Sequence, residues 1–142
     1  MGMFAGIEDV QVQKVSRFVE PGNYQGTINA VKYGRTNQEE KPYFVVEVEL
    51  TESDNEEFRE GDLVTWMTML HKFKHYFLEE VKDCVASVTK SSPEEVTEEV
   101  VEFVTGEDQP LSGALISIRS WAETNKKSGK TFTRSEFRRL DN

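Results

Sequence analysis

Residues 43–51 read Tyr-Phe-Val-Val-Glu-Val-Glu-Leu-Thr, and this alternation constrains the fold more than any other stretch. Side chains along a strand point to opposite faces with a period of two. Phe44, Val46, Val48 and Leu50 therefore share one face, and Tyr43, Val45, Glu47 and Glu49 share the other. That is a half-buried strand, with the four apolar residues as its expected core contribution.

The rest of the chain reads as elements placed around that strand. Residues 1–20 alternate weakly and are expected to form an N-terminal arm or lead-in strand, with residues 21–142 as the main domain. After a turn at Pro21-Gly22-Asn23, residues 24–33 read as a strand. Tyr24, Ile28 and Ala30 fall on one of its faces, Val31 and Tyr33 on the other. Residues 34–41 are polar and loop-like. Beyond an acidic connector at 52–62, a third strand runs from Leu63 to Leu70.

The period then changes. Phe73, Phe77, Val81, Cys84, Val85 and Val88 recur at helical spacing. Ser92-Pro93-Glu94-Glu95 carries the marks of a second helix start: Ser as N-cap, Pro at the first position and Glu three after the cap. Val96, Val100, Phe103 and Val104 supply that helix's apolar face, and Gly106 suits its C-terminal cap. Pro110 bars continuation. Two more strands follow, Leu115 to Glu123 and Thr131 to Arg138, joined by a loop around Gly129. Five main strands with a helical segment between the third and fourth predict an OB-fold-like barrel: mainly β, five-stranded and Greek-key.

At 142 residues this is one domain. The formal net charge is −9, which argues against attraction to nucleic acid over the whole surface. Screening confines charge effects to about 8–10 Å at ordinary salt, so a local basic face remains open. One exists. Residues 119–139 carry seven basic side chains against only Glu123 and Glu136, net +5. With Ile116 and Ile118 turned to the core, Arg119 and Trp121 face outward. Lys126, Lys127 and Lys130 crowd the loop, and Phe132 and Arg134 follow on the next strand. Tyr33, Arg35, Lys41 and Tyr43 flank the first loop. Single strands are held by cations that track phosphates and by aromatic rings on which bases stack, at about 1–3 kcal/mol per base. Trp66 shares a face with Val64, Thr68 and Leu70, so its side chain fits core and platform equally.

Other chemistries fare worse. Cys84 is the sole cysteine, which excludes an intramolecular disulfide and cysteine-rich zinc sites, and it lies on the apolar helix stripe. Gly129-Lys130-Thr131 ends like a P-loop, but Thr124 stands where that motif needs its first glycine and a strand follows in place of a helix. His71, His75 and Glu79 have helical spacing, but Lys72, Lys74 and Lys82 beside them disfavour a metal. Glu94, Glu95, Glu98 and Glu99 form a solvated helix face. No catalytic constellation stands out, so no enzyme and no cofactor are expected. No stretch approaches the roughly 20 apolar residues of a membrane span, and no secretory signal is present. A cytoplasmic protein without a membrane partner is expected.

PGNYQGTINAVKYG, PYFVVEVEL, GDLVTWMTML and LSGALISIRSW together resemble the bacteriophage-type single-stranded DNA-binding proteins with an OB-fold. The resemblance covers most of the chain from about residue 4. It implies single-stranded DNA as partner, bound with little sequence preference during phage replication or recombination in the host cytoplasm. It places contacts at Tyr33, Tyr43, Trp66, Trp121, Lys126, Lys127 and Lys130. Bacterial proteins of that function recruit other enzymes through a disordered acidic tail, whereas this chain ends FRRLDN. Replication or recombination proteins would then have to meet the acidic helix. The alternative expectation is a protein-interaction or assembly barrel working through that helix.

Overall fold

The computed structural model describes residues 17–35, 41–70 and 74–141. Its strands are β1 (Arg17–Phe18), β2 (Gly22–Arg35), β3 (Pro42–Ser53), β4 (Leu63–Met69), β5 (Leu115–Thr124) and β6 (Thr131–Arg139). Two helices, α1 (Lys74–Thr89) and α2 (Glu98–Val104), lie between β4 and β5. The six strands form one mixed sheet in the order β1-β4-β3-β2-β5-β6, with β1 and β4 parallel and the other pairs antiparallel.

The 14-residue β2 is the hub, pairing with β3 on one edge and with β5 on the other. Its ladder to β3 slips at Gln25/Gly26 and again at Ile28/Ala30. Bulges of this kind bend a strand and raise its twist, which curls the sheet. Gly26 sits at the first bend. A Cβ there would lie 2.7 Å from Val48 Cγ1 and closer still to the Glu49 carbonyl oxygen. Only a residue without a side chain lets the two backbones approach this closely. Past the second bulge Ala30 stands opposite Glu47 on the outward face and Val31 opposite Val46 in the core, so the expected split of Ala30 and Val31 holds, but Ile28 shares its face with Val31 and its expected grouping with Ala30 is corrected.

The curl leaves a half-barrel, and the expected closed five-stranded barrel is corrected accordingly. Among the described residues no backbone ladder joins β4 to β6. Helix α1 packs against both instead. Its stripe of Phe77, Val81, Cys84, Val85 and Val88 is buried against Ile28, Phe44, Val46, Val48, Leu50, Ile116 and Ile118 within one core cluster. The expected core set of β3, Phe44, Val46, Val48 and Leu50, is buried throughout. Of the expected lead-in strand, Arg17–Phe18 form β1, and residues 1–16 lie outside the described residues. So do residues 36–40 of the first loop, Phe73, and the His71 and His75 side chains on which the metal spacing rested.

The start signals at Ser92–Glu95 produce a single 3₁₀ turn, Pro93–Glu95, with its capping box intact. The α-helix begins later, where the Thr97 side chain accepts from the Val100 N–H at 3.3 Å. Gly106 is not left-handed; the positive-φ residues nearby are Lys90, just past α1, Gln109 and Gly113. Gln109 reaches β2 where β5 has diverged from it. Its side-chain oxygen accepts from Val31 N–H at 2.7 Å, and its amide nitrogen donates to the Val31 carbonyl at 2.9 Å. One side chain thus replaces a strand's pair of hydrogen bonds.

Candidate nucleic-acid interface

Strand β5 pairs with β2 only as far as Ser120, opposite Gly22, but stays paired with β6 out to Thr124 and Thr131. Four residue pairs therefore overhang the sheet, a two-stranded ribbon about 13 Å long at 3.3 Å per residue. Its loop is built on Asn125. The Asn125 side-chain oxygen accepts from the Lys127 and Ser128 N–H groups at 2.8 and 3.2 Å. The Asn125 N–H donates to the Lys130 carbonyl, and its carbonyl accepts from the Gly129 N–H, both at 2.8 Å. Gly129 takes a φ of +73°, the bend that glycine makes without strain. Lys126, Lys127 and Lys130 project from this pinned turn and are exposed.

The ribbon's two faces differ. Ile116, Ile118 and Ser120 point inward with Phe137. Arg119, Trp121 and Glu123 point outward, opposite Glu136, Arg134 and Phe132 respectively. The expected outward pairing of Arg119 with Trp121 is thus present, and the Arg119 guanidinium lies 5.4 Å from the indole centroid. Trp121 is half-buried, and Phe132 is 45% exposed. The Trp121 indole N–H donates to a Glu123 carboxylate oxygen at 3.2 Å, and Arg134 Nε meets that same oxygen at 3.2 Å. Not every base of the hairpin belongs to this face. Arg139 turns toward α1, donating to the Val88 carbonyl at 2.9 Å and pairing with Asp141.

The other expected site residues lie at the far end of β2. Tyr43 pairs with Gly34, and its ring crosses the bare glycine so closely that a Cβ there would sit 2.6 Å from the hydroxyl oxygen. Val45, Met67 and Met69 continue that outward face, with Lys32 opposite Val45. Tyr33 is 63% exposed at the sheet's rim, and Arg35 and Lys41 are exposed beside it. Eleven positions of β2 separate Gly34 from Asn23, the partner of Arg119. The two groups are therefore roughly 35 Å apart along the strand at 3.3 Å per residue. Between them the outward face carries Glu47 and Glu49.

Trp66 belongs to neither group. It stands opposite Val46 on the interior face, where its ring meets Phe44 edge-on at 6.2 Å and Phe137 at 5.1 Å. It packs, partly buried, between β4 and β6, so of the two readings left open for Trp66 its contacts favour the core. Phe103 errs the other way: expected on the apolar face of α2, it is 62% exposed among glutamates.

An acidic wall borders the hairpin. A shallow groove of about 360 Å³ runs between Arg119 and Ser117 on one side and Glu52, Ser53 and Asp54 on the other. Asp54 accepts from the Asn23 backbone N–H at 2.7 Å and from its side-chain amide at 2.8 Å. These hydrogen bonds hold the Asp54 carboxyl below its ordinary pKa. Sequence reading counted Glu123 only as an opposing charge and passed over Lys32. Glu123 follows Arg119 and Trp121 at a spacing of two, and that period was sufficient to place it beside them.

Among the described residues no cluster of three or more His, Cys, Asp or Glu side chains is arranged to hold a metal ion. No helix among them is long and apolar enough to cross a membrane. No model of a known protein family matches this chain, and no curated protein matches it either.

Proposed function

We propose that this protein binds single-stranded DNA without sequence preference, as a non-enzymatic module resembling an opened OB-fold. The observation that carries the reading is the overhanging ribbon. On the face that continues from Arg119 it sets Trp121, Arg134 and Phe132 side by side, and at its tip it holds three exposed lysines, all on a chain of net charge −9. Cations that track phosphates next to rings that stack bases are the two ingredients of sequence-tolerant strand binding. Tyr43, flat across Gly34 with Lys32 near it, suits a second contact further along the strand. The glutamates between the two groups would keep the DNA backbone off the middle of the sheet. The resemblance of its motifs to phage-type single-stranded DNA-binding proteins adds the role of coating exposed strands during phage replication or recombination.

The test is titration of the protein with an oligothymidine across a salt series. Binding that weakens linearly in log salt is expected, because each phosphate contact releases counterions. Absence of binding to any single strand at low salt would remove the reading. A second reading has its own observation: Phe103, exposed among Glu98, Glu99 and Glu102, suits a protein partner with a basic rim. Replacing Phe103 with Ser should leave oligothymidine affinity unchanged if that surface serves partners alone.

A further inference from the structure

We propose that Glu123 is a latch that occupies the ribbon's phosphate position in the free protein and is displaced when a strand binds. The inference rests on the strand-binding reading and goes beyond it by assigning a residue that opposes binding. One carboxylate oxygen of Glu123 receives both the Trp121 indole N–H and Arg134 Nε, each at 3.2 Å. Arg119 covers the same indole from the neighbouring outward position on β5. Two donors of a basic aromatic face thus converge on a single anionic oxygen. A phosphodiester oxygen offers the same charge and the same accepting lone pairs, so the carboxylate stands where a backbone phosphate would be received.

Three properties make this a latch and not a structural pair. The Arg134 and Glu123 side chains are 56% and 43% exposed, so water screens the pair and it opens readily. It lies beyond Ser120, on the part of the ribbon that β2 does not support, so the packing of the sheet does not depend on it. Glu123 also stands between Trp121 and the lysine tip along the outward face, with Phe132 across the ladder. A carboxylate there repels every phosphate that approaches Trp121. A lone monoanion gains one contact on displacing it. A strand that engages the tip lysines at the same time gains several, so the latch yields to polyanions and excludes small anions.

The experiment compares wild type, Glu123→Gln, Arg134→Gln and the double variant by oligothymidine titration over a salt series. Glu136→Gln, on the same face opposite Arg119, controls for the general loss of a negative charge. Glu123→Gln should bind about threefold to tenfold more tightly at 0.1 M salt or thereabouts. Its slope of log affinity against log salt should change by less than the roughly 0.7 of one phosphate contact on a single strand, because the displaced latch leaves the same contacts in both complexes. Arg134→Gln should weaken binding less in the wild-type background than in the Glu123→Gln background, because the latch holds that arginine back. If wild type binds and Glu123→Gln shows no gain beyond Glu136→Gln, or the two sites are independent, the latch is wrong and the strand-binding reading stands. If neither wild type nor Glu123→Gln binds, both fall together. Matched thermal melts keep a folding defect from passing as either result.

Discussion

Replacing Trp121 with Ala separates stacking from charge and from folding. The side chain faces outward where the ribbon leaves the sheet, so its removal opens no cavity in the core. The fold loses an exposed cation–π contact with Arg119, about 0.5–1 kcal/mol, and an exposed hydrogen bond of about the same size. That is a total near 1–2 kcal/mol, or roughly 3–6 °C in melting temperature for a domain of this length. Binding loses one stacked base, about 1–3 kcal/mol, which raises Kd roughly 5- to 150-fold. The assay is fluorescence anisotropy of a labelled oligothymidine well below both melting temperatures, at several salt concentrations. Stacking releases no counterions, so affinity should fall while the salt slope stays unchanged. Loss of a tip lysine should instead flatten that slope by about 0.7. Trp66→Ala gives the opposite pattern: a core cavity next to Phe44 and Phe137 costing about 3–5 kcal/mol of stability. A Trp121→Ala variant that binds within twofold of wild type, or whose loss comes with a flatter salt slope, would refute the stacking argument.

Gly26→Ala places a methyl group against the Glu49 carbonyl and should cost about 1–3 kcal/mol, seen as a lower urea midpoint at unchanged m-value; a change under about 0.5 kcal/mol would mean the two strands can part there. Asp54 and Asp141 are held below the ordinary carboxylate pKa by hydrogen bonds from Asn23 and from Arg139 and Leu115. A depressed folded-state pKa contributes stability that is present above the unfolded value, near 4, and lost as pH falls through the folded value. Asp54→Asn should therefore flatten the acid limb of a stability-against-pH curve, and an unaltered limb would contradict the assignment. Complete burial, with Asp83 nearby, pushes the Cys84 thiol far up. A thiol reagent should label it slowly in native protein and at once in denaturant, whereas fast native labelling would show that α1 opens.

Much of this arrangement was legible wherever a strand keeps strict period. β3 and β5 do so, and Phe44, Val46, Val48, Leu50, Ile116 and Ile118 are buried while Arg119 and Trp121 face out, as alternation requires. β2 does not. Its slip at Ile28/Ala30 changes the face of every later residue, and Asn29 within the slip carries no mark that a period rule can read. Trp66 was ambiguous because alternation gives its face but not what covers it, and that cover, Phe137 of β6, depends on how the whole sheet curls. The capping signals at Ser92–Glu95 were genuine, but the turn they open ends at Val96, which is buried in an extended conformation. At the interface, chain order placed the basic loop but not the distance between the Trp121 and Tyr43 groups. That distance follows from β2 carrying β5 on only half of its length.

The hub position of β2 also sets an order of assembly. Its partner β3 follows directly in the chain, whereas the pairing of Tyr24 with Ile118 must wait for about ninety further residues. At 5–20 residues per second of synthesis, the second edge of β2 stands unpaired on the nascent chain for roughly 5–20 s. The β2-β3-β4 meander closes short loops early, while the β2–β5 ladder closes a long one at greater entropic cost. The arm that would meet DNA is therefore the last part of the sheet to be laid down. A chain interrupted before Leu115 would carry an open, hydrogen-bond-hungry edge with neither the ribbon that covers it nor the lysines that give it a ligand.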